Sequence, residues 1–203
     1  LSNAKKKSIF GIGNFKINKD QSLNHLTISE RLFKYTNNLK LPIRINNFYL
    51  KKPENKKSNK NKKNQIFISI DSHHDQNNWS LENYVQIIKR LKDKNVLYIN
   101  FAPNKKYFLK KFPKIILNHK NVFFTYQKKI SDIIKIINNC KYVIGNESGP
   151  ICLGSSLKKQ VHAIYMPIHT RPESKIIYKK NKYYNTEKLF SQTIIKKIIT
   201  SIK

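Results

Sequence analysis

Apolar and polar residues alternate along residues 65–203 in a pattern that predicts five buried strands separated by amphipathic helices. The predicted strands span residues 65–71, 95–101, 121–126, 141–145 and 160–166. Strands that alternate with helices form a parallel sheet, and right-handed crossovers cover both faces of that sheet with helices. The pattern therefore predicts an α/β, Rossmann-like domain over residues 65–203.

The helices are predicted from their caps and their apolar spacing. Ser80 is predicted to cap a helix over residues 81–94, and Ser131 to cap a second helix over residues 132–140. Residues 105–112 predict a short amphipathic helix. Isoleucines at positions 194, 195, 198, 199 and 202 predict a closing amphipathic helix within residues 187–202.

Residues 1–64 divide into two parts of different character. Residues 8–13 predict a strand, and the capping-box pair Thr27 and Glu30 predicts a helix that ends before Pro42. Residues 51–64 carry seven lysines and no apolar side chain, so they cannot contribute to a core. We interpret residues 1–50 as the end of a preceding domain and residues 51–64 as a Lys/Asn-rich linker.

The turn after the fourth predicted strand, GNESGP at residues 145–150, is the strongest candidate for a ligand site. If a helix begins there, the amides around Ser148, Gly149 and Ile151 lie at the positive end of its dipole, which suits a phosphate or diphosphate. The Glu147 carboxylate would then accept hydrogen bonds from sugar hydroxyls. The alternative is an ordinary strand-to-helix turn in which Glu147 caps the helix or pairs with a lysine.

The formal charge of +30 is typical of a protein that binds nucleic acid, but the type of basic residue argues otherwise. Only four of the 41 basic residues are arginines, the residue that base recognition favours, and the lysine-rich tract has no interleaved aromatic residues. We therefore expect no specific nucleic acid partner, and a basic nucleic-acid-binding module is the least favoured alternative. The charge also favours anionic substrates and peripheral contact with the acidic inner surface of a membrane.

The spacing of the cysteines and the hydropathy of the chain bear on its cellular compartment and on membrane insertion. Cys140 and Cys152 do not have metal-ligand spacing, so we expect no metal and a reduced, cytoplasmic compartment. The sequence shows neither an apolar run as long as a membrane span nor the regions of a signal peptide. Because Leu1 is not a natural start residue, we expect the chain to be part of a longer protein.

Two stretches together resemble glycosyltransferase family nine, the ADP-heptose:lipopolysaccharide heptosyltransferases. The first stretch is IFISIDSHHDQNNWSLENYVQIIKRL, residues 66–91, which resembles the strand, polar loop, tryptophan and capped helix that open the C-terminal domain of that family. The second is CKYVIGNESGPICLGSSL, residues 140–157, which is similar to the family's V-G-N-D-S-G-P-x-H-L-A block.

The resemblance implies the C-terminal half of a GT-B glycosyltransferase, with residues 1–50 as the remnant of the N-terminal, acceptor-side domain. It implies a nucleotide-diphosphate sugar such as ADP-heptose as the donor substrate, no cofactor or metal, and a lipopolysaccharide or other lipid-linked envelope glycan as the acceptor. The residues that it implies for donor binding are Ser72, Asn77, Asn146, Glu147, Ser148, Gly149 and Pro150. The catalytic base is expected in the N-terminal domain outside this chain, so these 203 residues are expected to bind the donor without turnover.

Several positions depart from the family pattern. Asn77 stands where the family usually has a lysine that neutralises donor phosphate, Cys152 stands where a histidine is common, and Met166 replaces a glycine. Trp79 matches the family's tryptophan and is expected to be a packing residue. The departures make a degenerate, non-catalytic nucleotide-binding member the main alternative to an active heptosyltransferase.

Overall fold

The computed structural model describes residues 64–72, 75, 78–166 and 181–202. All of them fall within one compact unit of the chain. The strand predicted at residues 8–13, the helix predicted from Thr27 and all but the last residue of the predicted linker lie outside the described residues.

The described residues form one parallel sheet of six strands, in the order β3-β2-β1-β4-β5-β6. The strands are β1 (Gln65–Ser69), β2 (Val96–Asn100), β3 (Val122–Phe124), β4 (Tyr142–Asn146), β5 (Gln160–Tyr165) and β6 (Lys182–Asn185). The helices are α1 (Leu81–Leu91), α2 (Phe108–Lys111), α3 (Lys114–Leu117), α4 (Ile130–Asn139), α5 (Gly149–Ser156) and α6 (Ser191–Ser201). A 3₁₀ turn, Pro103–Lys105, follows β2. The predicted α/β class and parallel sheet are confirmed.

Two helices cover each face of the sheet near its centre. On one face α1 packs against α6, and their buried residues join Tyr142 and Ile144 of β4 in one hydrophobic core. On the other face α5 packs against α4, β4 and β5. There, an added Cβ at Gly154 would lie only 2.9 Å from Val143 Cγ2, so the helix backbone rests directly on the sheet.

Sequence patterns missed one strand and misplaced some helix boundaries. Strand β6 has the sequence KYYN, which is short, begins with an exposed lysine and has no apolar run. The single helix predicted at residues 105–112 is wrong: α2 covers only four residues, because the backbone at Phe112 is extended before Pro113, which cannot continue a helix.

Of the two predicted caps, Ser131 is wrong and Ser80 is confirmed in position. Helix α4 begins at Ile130 with Lys129 in the cap position, so Ser131 lies inside the helix. Ser80 does occupy the cap position of α1, but its side chain makes no capping hydrogen bond. The amides of Asn83 and Tyr84 bond to the Ser80 carbonyl instead. Apolar periodicity located both helices correctly, and the cap residue fixed the start of α1 but not that of α4.

The order of the strands reverses direction between β1 and β4. The chain leaves β1 toward β2 on one side, and it leaves β4 toward β5 on the other side. Such a reversal opens a crevice at the carboxyl ends of the two central strands, which is where open α/β sheets bind ligands. The loops after β1 and β4, which begin at Ile70 and Glu147, meet at this crevice.

A buried histidine ties the last strand and the last helix to the sheet. His162 of β5 is fully buried, and its ring stacks on the Tyr184 ring with centroids 5.9 Å apart. Its Nδ1 lies 3.0 Å from Tyr184 Oη, and its Nε2 lies 3.2 Å from Ser201 Oγ. Because Ser201 donates its own proton to the Ile198 carbonyl, it accepts from Nε2, and Tyr184 donates to Nδ1. A neutral ring with its proton on Nε2 satisfies both bonds.

This network predicts a pH-dependent stability. Burial lowers the pKa of His162 to about 4, and the nearby Lys182 acts in the same direction. The pKa of an unfolded histidine is about 6.5. The stability that the neutral His162 contributes is therefore complete above that pH and is lost as the pH falls. Between about pH 7.5 and pH 5.5 the free energy of unfolding should fall by about 1 kcal/mol from this residue. Urea titrations of the wild type and of His162→Gln measure the difference, and an equal fall in both proteins would contradict the assignment.

Candidate functional site

A cleft of about 310 Å³ opens at the carboxyl ends of β1, β2 and β4. Its lining residues come from the ends of these strands and the loops that follow: Ser69, Asp71, Ser72, Asn100, Ala102, Asn104, Lys105, Ser148, Gly149 and Pro150. The cleft thus brings together four residues predicted from sequence: Ser72, Ser148, Gly149 and Pro150. Asn77 lies outside the described residues.

The start of α5 leaves backbone donors facing this cleft. Ser148 is the cap residue, with extended backbone, but its Oγ lies 3.4 Å from Ser69 Oγ and does not cap the helix. In the described part of the chain, the amides of Ser148 and Gly149 have no backbone acceptor, whereas Ile151 bonds to the Ser148 carbonyl. The expectation that the Ile151 amide is available is therefore wrong. An added Cβ at Gly149 would meet nothing within 4 Å, so a ligand can approach this backbone closely.

Asn146 is the last residue of β4 and lies fully buried beneath the cleft. Its Oδ1 accepts hydrogen bonds from the Trp79 amide and from Tyr84 Oη, both at 2.9 Å. Its Nδ2 donates to the Ile70 carbonyl at 3.0 Å and to Asn78 Oδ1 at 3.3 Å. Both N–H donors and both acceptor positions of this amide are therefore used in bonds within the protein. The structure therefore gives Asn146 a supporting position, not the ligand contact expected from sequence.

Trp79 and Asn78 carry this support into the loop after β1. Trp79 is buried, packs edge-to-face on Tyr84 with centroids 5.2 Å apart, and donates its indole N–H to Ser191 Oγ. Its expected packing role is confirmed. Asn78 Oδ1 accepts from the Ser72 amide at 2.6 Å, so the loop that carries Ser72 is fastened to the end of β4 through Asn78.

Glu147 is half-buried and does not line the cleft. Its amide donates to the Ile164 carbonyl of β5 at 3.2 Å. Its carboxylate lies close enough to Cys152 and Tyr165 to raise the pKa of both groups, although burial is the larger cause in each. The carboxylate thus faces the β5 side of the turn, next to the amides but apart from them.

The loops after β1 and β2 contribute an ion cluster that the sequence analysis did not single out. Lys105 Nζ donates to Asp75 Oδ1 at 2.6 Å and to the Ser72 carbonyl at 3.1 Å, and lies 3.7 Å from Asp71 Oδ2. Asp71 is buried and accepts from the Ala102 amide at 3.0 Å. The position of Asp71 at the carboxyl end of the first predicted strand was the signal available for this cluster.

Burial and pairing shift the pKa values of this cluster in different directions. Burial raises the pKa of Asp71, while the hydrogen bond from Ala102 and the charge of Lys105 oppose that rise. The hydrogen bond from Lys105 lowers the pKa of Asp75. Burial lowers the pKa of Lys105, but the two carboxylates outweigh burial, and the net result is a raised pKa.

Three further features concern the described residues alone. No group of three or more His, Cys, Asp or Glu side chains among them is arranged to hold a metal ion. None of their helices has the length and apolar character needed to cross a bilayer. A second cleft, of about 510 Å³, lies at the start of β6 and the end of α6, and Lys182, Tyr183 and Lys197 are among its lining residues.

A doubly wound sheet with a cleft at its switch point, bordered by a helix N-terminus, is typical of the open α/β class, whose ligand sites lie at the carboxyl ends of the strands. The sequence profile of glycosyltransferase family 9 (heptosyltransferase) matches residues 5–197. The chain therefore belongs to glycosyltransferase family 9. No individual curated protein matches the sequence significantly.

Solved structures of this family share the fold. The E. coli heptosyltransferase WaaC with ADP is similar to this chain with a TM-score of 0.58 and 14% identity, over 70% of this chain and 45% of WaaC. E. coli ADP-heptose lps heptosyltransferase II gives a TM-score of 0.54 and 14% identity, over 70% of this chain and 47% of that one. A family 9 glycosyl transferase from Veillonella parvula DSM 2008 gives a TM-score of 0.54 and 15% identity, over 72% of this chain and 40% of that one.

The chain therefore spans about half the length of these structures, or less. At these identities the likeness shows the fold alone. The predicted fold, a Rossmann-like half of a GT-B glycosyltransferase, is confirmed.

The contacts of Asn146 predict a large effect for a change of one atom. In Asn146→Asp, a buried carboxylate oxygen replaces Nδ2 and faces the Ile70 carbonyl, so two acceptors meet with no proton between them. The free energy of unfolding should fall by about 2 kcal/mol or more. Urea unfolding followed by the fluorescence of Trp79, the only tryptophan, measures it. The exposed Asn118→Asp is the matched control and should change stability by less than about 0.5 kcal/mol. Equal effects in the two variants would contradict the supporting role of Asn146.

Proposed function

We propose that the cleft holds the diphosphate of a nucleotide-diphosphate sugar, such as ADP-heptose, as the donor substrate of a glycosyltransferase. The observation that carries this proposal is the pair of amides at Ser148 and Gly149, which face a cleft at the topological switch point without a backbone acceptor among the described residues. Backbone N–H groups at a helix N-terminus suit phosphate oxygens because the helix dipole adds to their hydrogen bonds.

Serine hydroxyls add to this phosphate site. Ser69 Oγ and Ser148 Oγ lie 3.4 Å apart at the ends of neighbouring strands, and either hydroxyl can turn to a phosphate oxygen. Ser72 lines the same cleft from the loop after β1. Three hydroxyls and two amides can therefore surround a diphosphate without any metal ion, and the donor is a substrate with no separate cofactor.

Glu147 is proposed to bind the sugar. A carboxylate in direct contact with a diphosphate would repel it, but Glu147 lies on the β5 side of the turn and does not line the phosphate cleft. From there it can accept hydrogen bonds from two sugar hydroxyls. The diphosphate of one donor would thus contact the N–H donors of Ser148 and Gly149, and its sugar would contact the adjacent Glu147 carboxylate.

Family membership supports the transferase activity, and the ligands of two WaaC structures support the donor. One solved WaaC structure contains ADP, and another contains ADP-2-deoxy-2-fluoro heptose. We propose that this chain binds such a donor for inverting transfer to lipopolysaccharide or another lipid-linked envelope glycan. We place the reaction in the cytoplasm, at the inner face of the membrane, with no specific nucleic acid partner.

A non-catalytic, nucleotide-binding role is the second candidate, and one observation favours it. The ion cluster at the cleft contains two carboxylates, Asp71 and Asp75, and one ammonium group, Lys105. This balance is less favourable to a diphosphate than an unpaired lysine would be. Transfer of a sugar by the full-length protein would support catalysis, whereas binding of nucleotide without transfer or donor hydrolysis would support the second candidate.

The split between Glu147 and the amides predicts a change in selectivity. Glu147→Gln removes the charge at nearly constant shape, so affinity for ADP-heptose should fall by about 1.5 to 3 kcal/mol. Affinity for inorganic diphosphate should stay the same or rise, because repulsion falls. Calorimetric titration of both ligands measures the ratio, with the exposed Glu82→Gln as a control of equal charge change. Equal losses for both ligands would contradict the sugar role, and a lower melting temperature with unchanged selectivity would assign Glu147 to stability alone.

A further inference from the structure

Lys105 is the only basic side chain among the described residues that line the cleft. It reaches the cleft from the 3₁₀ turn after β2 and is mostly buried. Its ammonium group is therefore the single positive charge that a phosphate entering beside Ser148 and Gly149 would meet in this part of the structure. This inference rests on the proposed function, because it concerns how the same cleft receives a diphosphate.

The two carboxylates beside Lys105 are held very differently. The Asp71 side chain is 7% exposed and is fixed by the Ala102 amide, so it belongs to the permanent structure of the site. The Asp75 side chain is 79% exposed, although it makes the shorter contact with Lys105, at 2.6 Å, and also accepts an exposed hydrogen bond from Asn78 Nδ2 at 3.2 Å. An exposed carboxylate that leaves an ion pair regains its hydration at once, so opening this pair costs little free energy.

The charge balance of the cleft depends on which carboxylate Lys105 contacts. With both in place, one ammonium group faces two carboxylates, and the cluster is net negative toward a diphosphate. When Asp75 turns into solvent, the cluster becomes neutral, and one N–H of Lys105 becomes available to a phosphate oxygen. Lys105 keeps its bond to the Ser72 carbonyl and its proximity to Asp71 during this exchange, so it stays at the cleft.

We propose that Asp75 is a displaceable carboxylate that occupies Lys105 in the free protein, and that the donor's diphosphate takes its place on Lys105. The exchange converts a loop-fastening ion pair into a phosphate contact. Lys105 then supplies, from the 3₁₀ turn after β2, the positive charge that Asn77 cannot supply from the loop after β1.

The test is a double-mutant cycle read by ADP titration calorimetry in the presence of EDTA. Asp75→Asn should tighten ADP binding about threefold or more, because it removes the competing carboxylate. Lys105→Met should weaken it about tenfold or more, because a charged hydrogen bond is lost. In the Lys105→Met protein, the further change Asp75→Asn should bring no gain, since there is no ammonium group left to release.

Asp93→Asn is the matched control. Asp93 is also an exposed carboxylate that pairs with a lysine, Lys92, at 2.9 Å, but it lies in the turn before β2 and is not part of the cleft. Asp93→Asn changes the net charge by the same amount as Asp75→Asn does, so its effect on ADP affinity measures the contribution of net charge alone. If Asp75→Asn tightens binding no more than Asp93→Asn does, the inference is overturned.

A second measurement covers the case in which Lys105→Met does not fold. In the free protein, Lys105 lowers the pKa of Asp75. Carboxyl NMR of the wild type with saturating ADP should show that pKa returning toward its ordinary value, and a pKa that stays lowered overturns the exchange. The two proposals fail differently: absence of ADP binding in every variant overturns the proposed function and this inference with it, whereas ADP binding that ignores Asp75 overturns this inference alone.

Discussion

The fully paired amide of Asn146 is the interaction on which the geometry of the site depends. It accepts from Trp79 and Tyr84 and donates to Ile70 and Asn78, so the end of β4 is joined at once to the loop after β1 and to α1. Asn78, which Asn146 holds, also accepts from the Ser72 amide. The Asn146 side chain thus fixes both the loop after β1 and the end of β4, which border the cleft. A buried amide can do this only when every donor and acceptor is satisfied, and here each one is.

Net charge and local charge differ in this protein, and the local charge decides what the cleft can bind. The chain carries a formal charge of +30, yet the described residues of the cleft provide one lysine beside two aspartates. The excess lysines raise the concentration of anions near the surface without choosing among them. On the proposed function, selection among anions falls to the two backbone amides at the start of α5 and to Lys105.

Sequence patterns located the sheet and the turn after β4, because buried strands appear as apolar runs and glycine-rich polar turns are distinctive. They missed β6, whose four residues KYYN have no such run. They also ended the fourth strand at Gly145, one residue short of Asn146, the last residue of β4. At Gly145 an added Cβ would lie 2.2 Å from the Ser69 carbonyl oxygen. The burial of Asn146 and the ion cluster of Lys105 depend on contacts between distant loops. No local periodicity encodes such contacts, so the structure was needed to find them.

The most direct test of the central claim, that the amides of Ser148 and Gly149 hold the diphosphate, is the amide NMR spectrum of the chain titrated with ADP. These two resonances should move downfield together, as new hydrogen bonds to phosphate form, and should saturate at the same ADP concentration. Resonances around the second cleft, at Lys182 and Lys197, should stay in place. Large shifts at that second cleft, with Ser148 and Gly149 unmoved, would contradict the account.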